Sequence, residues 1–202
     1  VKLALGYSVE GFEEKNSGID VLLKDTAPLH ADMVVLAIGV TPESTLAKEA
    51  GLALGMKNSI LVNDRMETSA ADIYAVGDAV QVKNFVTGED TLIPLAGPAN
   101  KQGRIAADNI AGFESVYTGT QGSAVLKLFD MTVATTGLNE KSAGLAGIDY
   151  DKTYTYSASH ATYYPGAAQM SVKALWDKRT LKIIGAQIVG FDGVDKRTDV
   201  LA

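Results

Sequence analysis

Cysteine is absent from this 202-residue chain, and histidine occurs only twice, as His30 and His160. Without a thiol there is no disulfide scaffold, no thiolate metal centre and no sulfur catalysis carried wholly by these residues. Two histidines are too few for a histidine-built metal site, so no metal is expected. Long apolar runs are missing as well. The longest, Met33 to Val40, falls far short of the roughly 20 residues that a membrane-spanning helix requires, so no membrane partner is expected. Basic residues are outnumbered, 18 Lys and Arg against 24 Asp and Glu, giving a net charge of -6. Neutralising phosphates requires clustered cations, which excludes nucleic acid as an expected partner. The chain starts with Val1, shows no charged-then-apolar secretory signal, and reads from its first residues like the middle of a domain. A fragment of a longer protein is expected.

What is present is 47% hydrophobic and 21% charged residues, a balance that supports a buried core in one large domain or two small ones. Short β-branched runs at Leu3 to Leu5, Ile19 to Leu23 and Met33 to Val40 predict strands, the last apolar on both faces as inside a larger sheet. Thr41-Pro42 reads as an N-cap with proline in the first turn, followed by a short helix stopped at Gly51. Ser59 to Asn63 and Ile73 to Gly77 are further strand candidates. Gly97-Pro98 opens a helix with Ile105, Ala106 and Ile110 on one side, ending at Gly112.

The character changes after Phe113. Ser123 to Phe129 and Met131 to Leu138 predict strands, and Asn139 caps a short helix running out near Gly147. Met170, Val172, Ala174 and Trp176 share one face of a strand over Met170 to Asp177, which a polar turn joins to Leu181 to Gly190 as an antiparallel hairpin. The boundary falls between about residues 113 and 120, with α/β material before it and an antiparallel sheet with helices after it.

The chemistry concentrates in Thr68 to Ala79, TSAADIYAVGDA. Gly77 allows close approach of the backbone to a ligand, and Asp78 projects a carboxylate where a buried strand ends. Such a carboxylate accepts hydrogen bonds from polyol hydroxyls, while amides at a nearby helix start receive a pyrophosphate. A flavin dinucleotide fits both, although a Gly-Asp pair alone more often marks an ordinary turn.

The whole string resembles the second FAD-binding motif of the pyridine nucleotide-disulfide oxidoreductases. LAIGVTP, with Gly39 and Pro42 at the matching positions, resembles the turn that closes the nicotinamide domain. IPLAGPANKQGRIAADN resembles the loop and helix whose N-terminus faces the flavin. The resemblance implies a fold class of α/β, the C-terminal part of an FAD/NAD(P)-binding two-domain fold, followed by an α+β dimerisation domain with an antiparallel sheet. Residues 1–40 would end the NAD(P)-binding domain, 41–112 would be the second FAD-binding segment, and 113–202 a dimerisation domain incomplete at its C-terminus. Gly39, Pro42, Gly77, Asp78, Ala79, Pro94, Leu95, Ala96 and Gly97 would contact the cofactors, FAD and NAD(P)H, and Asn100 would face the substrate.

SHATYYPGA and the late GVDKRTDVLA resemble the coenzyme A disulfide reductase branch, including forms fused to a rhodanese domain. There Tyr163 would be catalytic and substrate-binding, reaching towards the redox cysteine of the neighbouring subunit, with His160 beside it on the substrate. Tyr164 and His160 equally suit interface packing, and Lys196 and Arg197 suit either coenzyme A phosphates or a solvated helix start. The implied reaction takes hydride from NAD(P)H to FAD and then to a cysteine-coenzyme A mixed disulfide. The partners would be coenzyme A disulfide or a related small disulfide or polysulfide, a second subunit in a homodimer, and the missing N-terminal half of the same chain. The setting would be cytoplasmic. NADH oxidase, NADH peroxidase and polysulfide reductase share the flavin segment and remain open, as does a noncatalytic dimerisation fragment. Two departures fit a partial chain: the family's redox cysteine and its first Gly-rich fingerprint are not in it.

Overall fold

The computed structural model describes residues 2–202. These fall into two units, one ending at Val40 and one spanning Thr41–Ala202.

In the first unit β1 (Val9–Lys15), β2 (Gly18–Leu23) and β3 (Leu29–Ala31) form an antiparallel sheet in that order. β2 is half-buried along its length and was legible from its apolar residues, whereas β1, VEGFEEK, is mostly exposed and carries no stripe. His30 Nδ1 lies 2.8 Å from Asp20 and its Nε2 lies 3.2 Å from the Ser17 carbonyl oxygen. The Asp20 hydrogen bond raises the His30 pKa above its ordinary value. Two expected strands do not form. Leu3 to Leu5 is irregular, and so is Met33 to Val40, with Met33, Val35, Leu36, Ile38 and Val40 all exposed. Among the described residues no strand of this unit runs alongside either segment. Their amides therefore have no ladder to join, and β propensity without one does not make a strand.

The second unit opens with α1 (Thr45–Glu49), whose N-cap is Ser44 rather than Thr41. Ser44 does not cap with its side chain, because its Oγ donates to the Asn58 carbonyl at 2.6 Å; Glu43 accepts from the Thr45 amide instead. β4 (Ile60–Leu61), β5 (Val80–Lys83) and β6 (Asp90–Thr91) form a small sheet, with β4 and β5 parallel. The strand expected over Ile73 to Gly77 reduces to one bridge, between Tyr74 and Glu67, and the ladder begins only at Val80. Ile73 and Val76 are exposed, so the apolar run that suggested the strand is not packed on both sides.

Against this sheet lies α2 (Ala96–Ile110), which buries Gln102, Ile105, Ala106 and Asn109 onto Met66, Val80, Val82 and Tyr117. The spacing is that of one helical face. Ile110, expected on it, is exposed and Asn109 takes the inward place. Its Nδ2 donates to the carbonyls of Arg65, Ile105 and Ser115, and its Oδ1 accepts from the Ser115 amide. An Asn109→Ala change strands these buried groups and is expected to destabilise the unit by about 2 kcal/mol, read as a lower thermal midpoint. The helix stops as anticipated, with the Gly112 and Phe113 amides bonding back to Asn109 and Asp108.

The rest is an antiparallel five-stranded sheet of β7 (Ala124–Leu128), β8 (Met131–Gly137), β9 (Tyr150–Ala158), β10 (Gln169–Asp177) and β11 (Ile183–Gly190), in the order β7-β8-β11-β10-β9. The anticipated β10–β11 hairpin is present. Met170 and Val172 are buried on one face, as the alternation predicts, but Leu175 is fully buried on the opposite face with Ala143 and Leu138, and Trp176 is only partly buried. At the β8–β11 seam Gly185 stands opposite Gly137, and a Cβ on either would overlap the backbone of the facing strand, at Leu138 and Ile184 respectively.

Each face of the sheet carries one helix, α3 (Glu140–Leu145) on one and α4 (Val194–Leu201) on the other. Ala143 of α3 packs with Leu138, Leu175 and Ile184, while Val194 of α4 packs with Ala134, Met170 and Ile188. Asn139 caps α3 as the sequence suggested, in a reciprocal box with Ser142. The face that carries α3 is covered at its Leu175 end and open at the other. Tyr156, Ser171, Val189, Val133 and Leu126 are aligned by register into one exposed rung across all five strands.

Glu140, at the start of α3, bonds Lys152 on β9 and Lys173 on β10. Those two hydrogen bonds, Lys152 first, bring its pKa down from 4.5 to about 2. A carboxylate depressed in the folded state stabilises above its ordinary pKa, and that contribution is lost as the pH falls through the folded value. Glu140→Gln is therefore expected to melt below wild type at neutral pH. The gap should close between pH 4.5 and about 2, a trend that thermal midpoints measured across that range would show. No helix among the described residues is long and apolar enough to cross a membrane.

Candidate functional site

Two pieces of the second unit meet where the sequence placed its chemistry. Gly77 has φ +89°, a conformation that strains any residue with a Cβ, and its amide donates to Gln102 Oε1 at 2.7 Å. Gln102 is 1% exposed, on the inward face of α2. The turn carrying Asp78 is thus tied to the helix by a part-buried hydrogen bond. On its other side the Ala79 carbonyl accepts the Ile60 amide at 2.8 Å, locking the turn to β4. Asp78 itself is exposed and Ala79 half-buried.

The start of α2 is bare of side-chain capping. Its N-cap is Leu95, no acidic residue sits in the first turn, and Pro98 has no amide to satisfy. Among the described residues no side chain accepts from the Ala96 or Gly97 amides, so the positive end of the helix dipole is left for an external acceptor. Pro94, Ala96 and Gly97 are exposed and Leu95 is half-buried. Asn100 is exposed further along the same helix. A Cβ built on Gly77 or Gly97 would meet nothing within 4 Å, so both border open space. An exposed carboxylate, uncapped amides and open space together suit a ligand that has hydroxyls to donate and negative charge to place.

Pro42 is half-buried just ahead of α1. Gly39 belongs to the first unit, in its exposed C-terminal segment. Two features escaped the reading of the sequence. One is Gln102, whose signal was a polar residue three positions before Ile105 on the apolar face. The other is a cleft of about 460 Å³ beside the helix start, between Gly97, Pro98 and Lys101 on one side and the Tyr117 to Gln121 segment on the other. Among the described residues the buried Tyr117 hydroxyl has no hydrogen-bond partner.

Tyr163, Tyr164 and His160 lie together on the loop between β9 and β10. The loop is closed at its base by the Ser159 amide donating to the Ala168 carbonyl at 2.8 Å. Tyr163 is 81% exposed, and its ring centre lies 4.7 Å from that of Tyr164, tilted by 39°. Among the described residues no hydrogen bond links this loop to the Asp78–Gln102 group.

A family model described as pyridine nucleotide-disulphide oxidoreductase matches residues 1–103, and that of the dimerisation domain of these enzymes matches residues 123–202. An NADH oxidase of Methanocaldococcus jannaschii is 38% identical over the whole chain, which spans 44% of that relative. A CoA-dependent NAD(P)H sulfur oxidoreductase of Pyrococcus abyssi is 35% identical over 94% of the chain and 42% of its own length. The chain thus spans about two fifths of the length of the curated relatives it matches. Among solved structures, reduced CoADR-RHD of Bacillus anthracis superposes with a TM-score of 0.89 at 51% identity, over 96% of this chain and 35% of the other. With matched models covering both the Asp78–Gln102 group and the five-stranded sheet, the chain belongs to the pyridine nucleotide-disulphide oxidoreductase family.

Proposed function

We propose that the complete protein is an FAD-dependent NAD(P)H:disulfide oxidoreductase acting on coenzyme A disulfide, and that this chain supplies one wall of its flavin site and its dimer contacts. The observation that carries this reading is the Gly77–Gln102 hydrogen bond, which ties a carboxylate-bearing turn to the helix whose start is uncapped. The residues fit a flavin dinucleotide on structural grounds, since both glycines border open space and the helix end lacks any acidic side chain. Bound FAD would supply the passage of reducing equivalents from the nicotinamide to a disulfide.

The work of this chain is electrostatic and positional. Asp78 would accept hydrogen bonds from flavin side-chain hydroxyls, and Gly77 and Ala79 would allow their close approach. The Ala96 and Gly97 amides would stabilise negative charge at the ring, walled by Pro94 and Leu95. Asn100 would present a polar group on the substrate side. Gly39 and Pro42 would shape the passage from the nicotinamide domain. Tyr163 would donate its phenolic hydrogen to a departing thiolate whose cysteine lies outside these residues. Residues 1–40, 41–112 and 113–202 would be the end of the NAD(P) domain, the flavin segment and the dimerisation domain. The family models, ending at 103 and resuming at 123, support the second boundary. The exposed rung through Val189 and Val133 supports a homodimer formed on that face.

Coenzyme A chemistry draws support from the CoA-dependent Pyrococcus relative, whereas the 38% identity to an NADH oxidase favours oxygen as acceptor. Parallel assays of the full-length protein with coenzyme A disulfide, polysulfide, oxygen and hydrogen peroxide decide between them. The highest kcat/KM is expected on coenzyme A disulfide. If oxygen is turned over and the disulfide is not, the oxidase reading replaces this one.

A further inference from the structure

The SHATYYPGA loop carries a histidine whose ring is fully engaged inside the loop. His160 Nδ1 lies 3.1 Å from Ser159 Oγ, and Nε2 lies 3.3 Å from the Pro165 carbonyl oxygen. The Ala168 amide donates to that same Ser159 Oγ at 3.2 Å. With the ring neutral, one arrangement of protons satisfies every atom. The Pro165 carbonyl can only accept, so Nε2 carries the hydrogen; Ser159 Oγ accepts from Ala168 and donates to Nδ1. The chain of bonds runs Ala168, Ser159, His160, Pro165 and spans the loop from its base to the far side of Tyr163 and Tyr164. Within it the Tyr164 amide bonds the Ala161 carbonyl at 3.0 Å.

We infer that His160 is a positioning residue: it fixes the loop so that Tyr163 is presented in one orientation, and it does not bind the substrate. The inference rests on the proposed role of Tyr163. Both ring nitrogens are committed to the loop, which leaves neither for a ligand. Tyr163 is highly exposed, with the Tyr164 ring beside it and no side-chain hydrogen bond among the described residues, so its direction depends on the backbone that carries it. Holding that backbone is what the Ser159–His160–Pro165 brace does.

The test is a mutant cycle in the full-length protein with coenzyme A disulfide as substrate. His160→Ala is expected to lower kcat about tenfold with KM within about twofold, and His160→Gln, which keeps a donor of similar reach for Pro165, to restore most of the loss. In a Tyr163→Phe background the same His160→Ala change is expected to cost no more than about twofold, because the geometry it protects no longer carries a hydroxyl. A histidine that merely supports the fold lowers kcat equally in both backgrounds, and one that contacts substrate raises KM. Either result overturns the inference. Amide exchange on the peptide covering residues 159–168 separates it from the Tyr163 reading. If Tyr163→Phe alone leaves kcat unchanged, the catalytic role of Tyr163 fails, yet faster exchange in His160→Ala still establishes the brace. Unchanged exchange refutes it.

Discussion

A Gly185→Ala protein is expected to lose its folded C-terminal sheet, with a destabilisation above about 4 kcal/mol that shows as insoluble expression or a collapsed thermal midpoint. The added methyl would occupy the space of the Leu138 backbone, and the facing residue is itself a glycine whose own Cβ would strike Ile184. Backbone cannot rotate aside as a side chain can, so relief requires β8 and β11 to separate. Those strands join the two halves of the sheet, and Leu138, Leu175 and Ile184 share a core beside the seam. Gly144→Ala is the control. Gly144 lies within α3, a Cβ there meets nothing within 4 Å, and alanine is expected to stabilise by roughly 0.5–1 kcal/mol. Equal losses in the two variants would refute the steric account.

Asp78→Ala in the full-length protein is expected to keep the fold and lose the yellow cofactor. The side chain is exposed and forms no hydrogen bond among the described residues, so its removal leaves the Gly77–Gln102 and Ile60–Ala79 bonds intact. A hydrogen bond to a charged acceptor contributes about 1.5–3 kcal/mol, so the FAD dissociation constant should rise by roughly 10- to 150-fold. The measurement is flavin absorbance retained after desalting, alongside the thermal midpoint of the apoprotein. A variant that stays fully loaded removes Asp78 from the flavin site. One that fails to fold assigns it a structural role instead.

The C-terminal half was more legible in the sequence than the N-terminal part. Asn139 and Ser142 form a cap whose partners lie three residues apart, and the β10–β11 hairpin needs only a polar turn between two apolar strands; both signals are local. β9 was missed because Thr and Tyr alternate in it without an apolar stripe, most of the strand being exposed. Met33 to Val40 misled for the opposite reason, since its composition suits a strand buried on both faces but the unit offers no neighbour. At the candidate site the GDA turn and the GPAN helix start could be recognised as separate strings. Their connection through Gln102 could not, because a buried polar residue is visible only when its partner, 25 positions away, is in place.

The strand order carries a kinetic consequence. β7–β8, β9–β10 and β10–β11 are each joined by short stretches of chain, so they can zip locally and quickly, whereas the β8–β11 ladder must bring together segments from opposite ends of the sheet sequence. During synthesis the early hairpin waits with one edge unsatisfied until the last strand emerges, and that edge is where a nascent chain would engage a chaperone or another copy of itself.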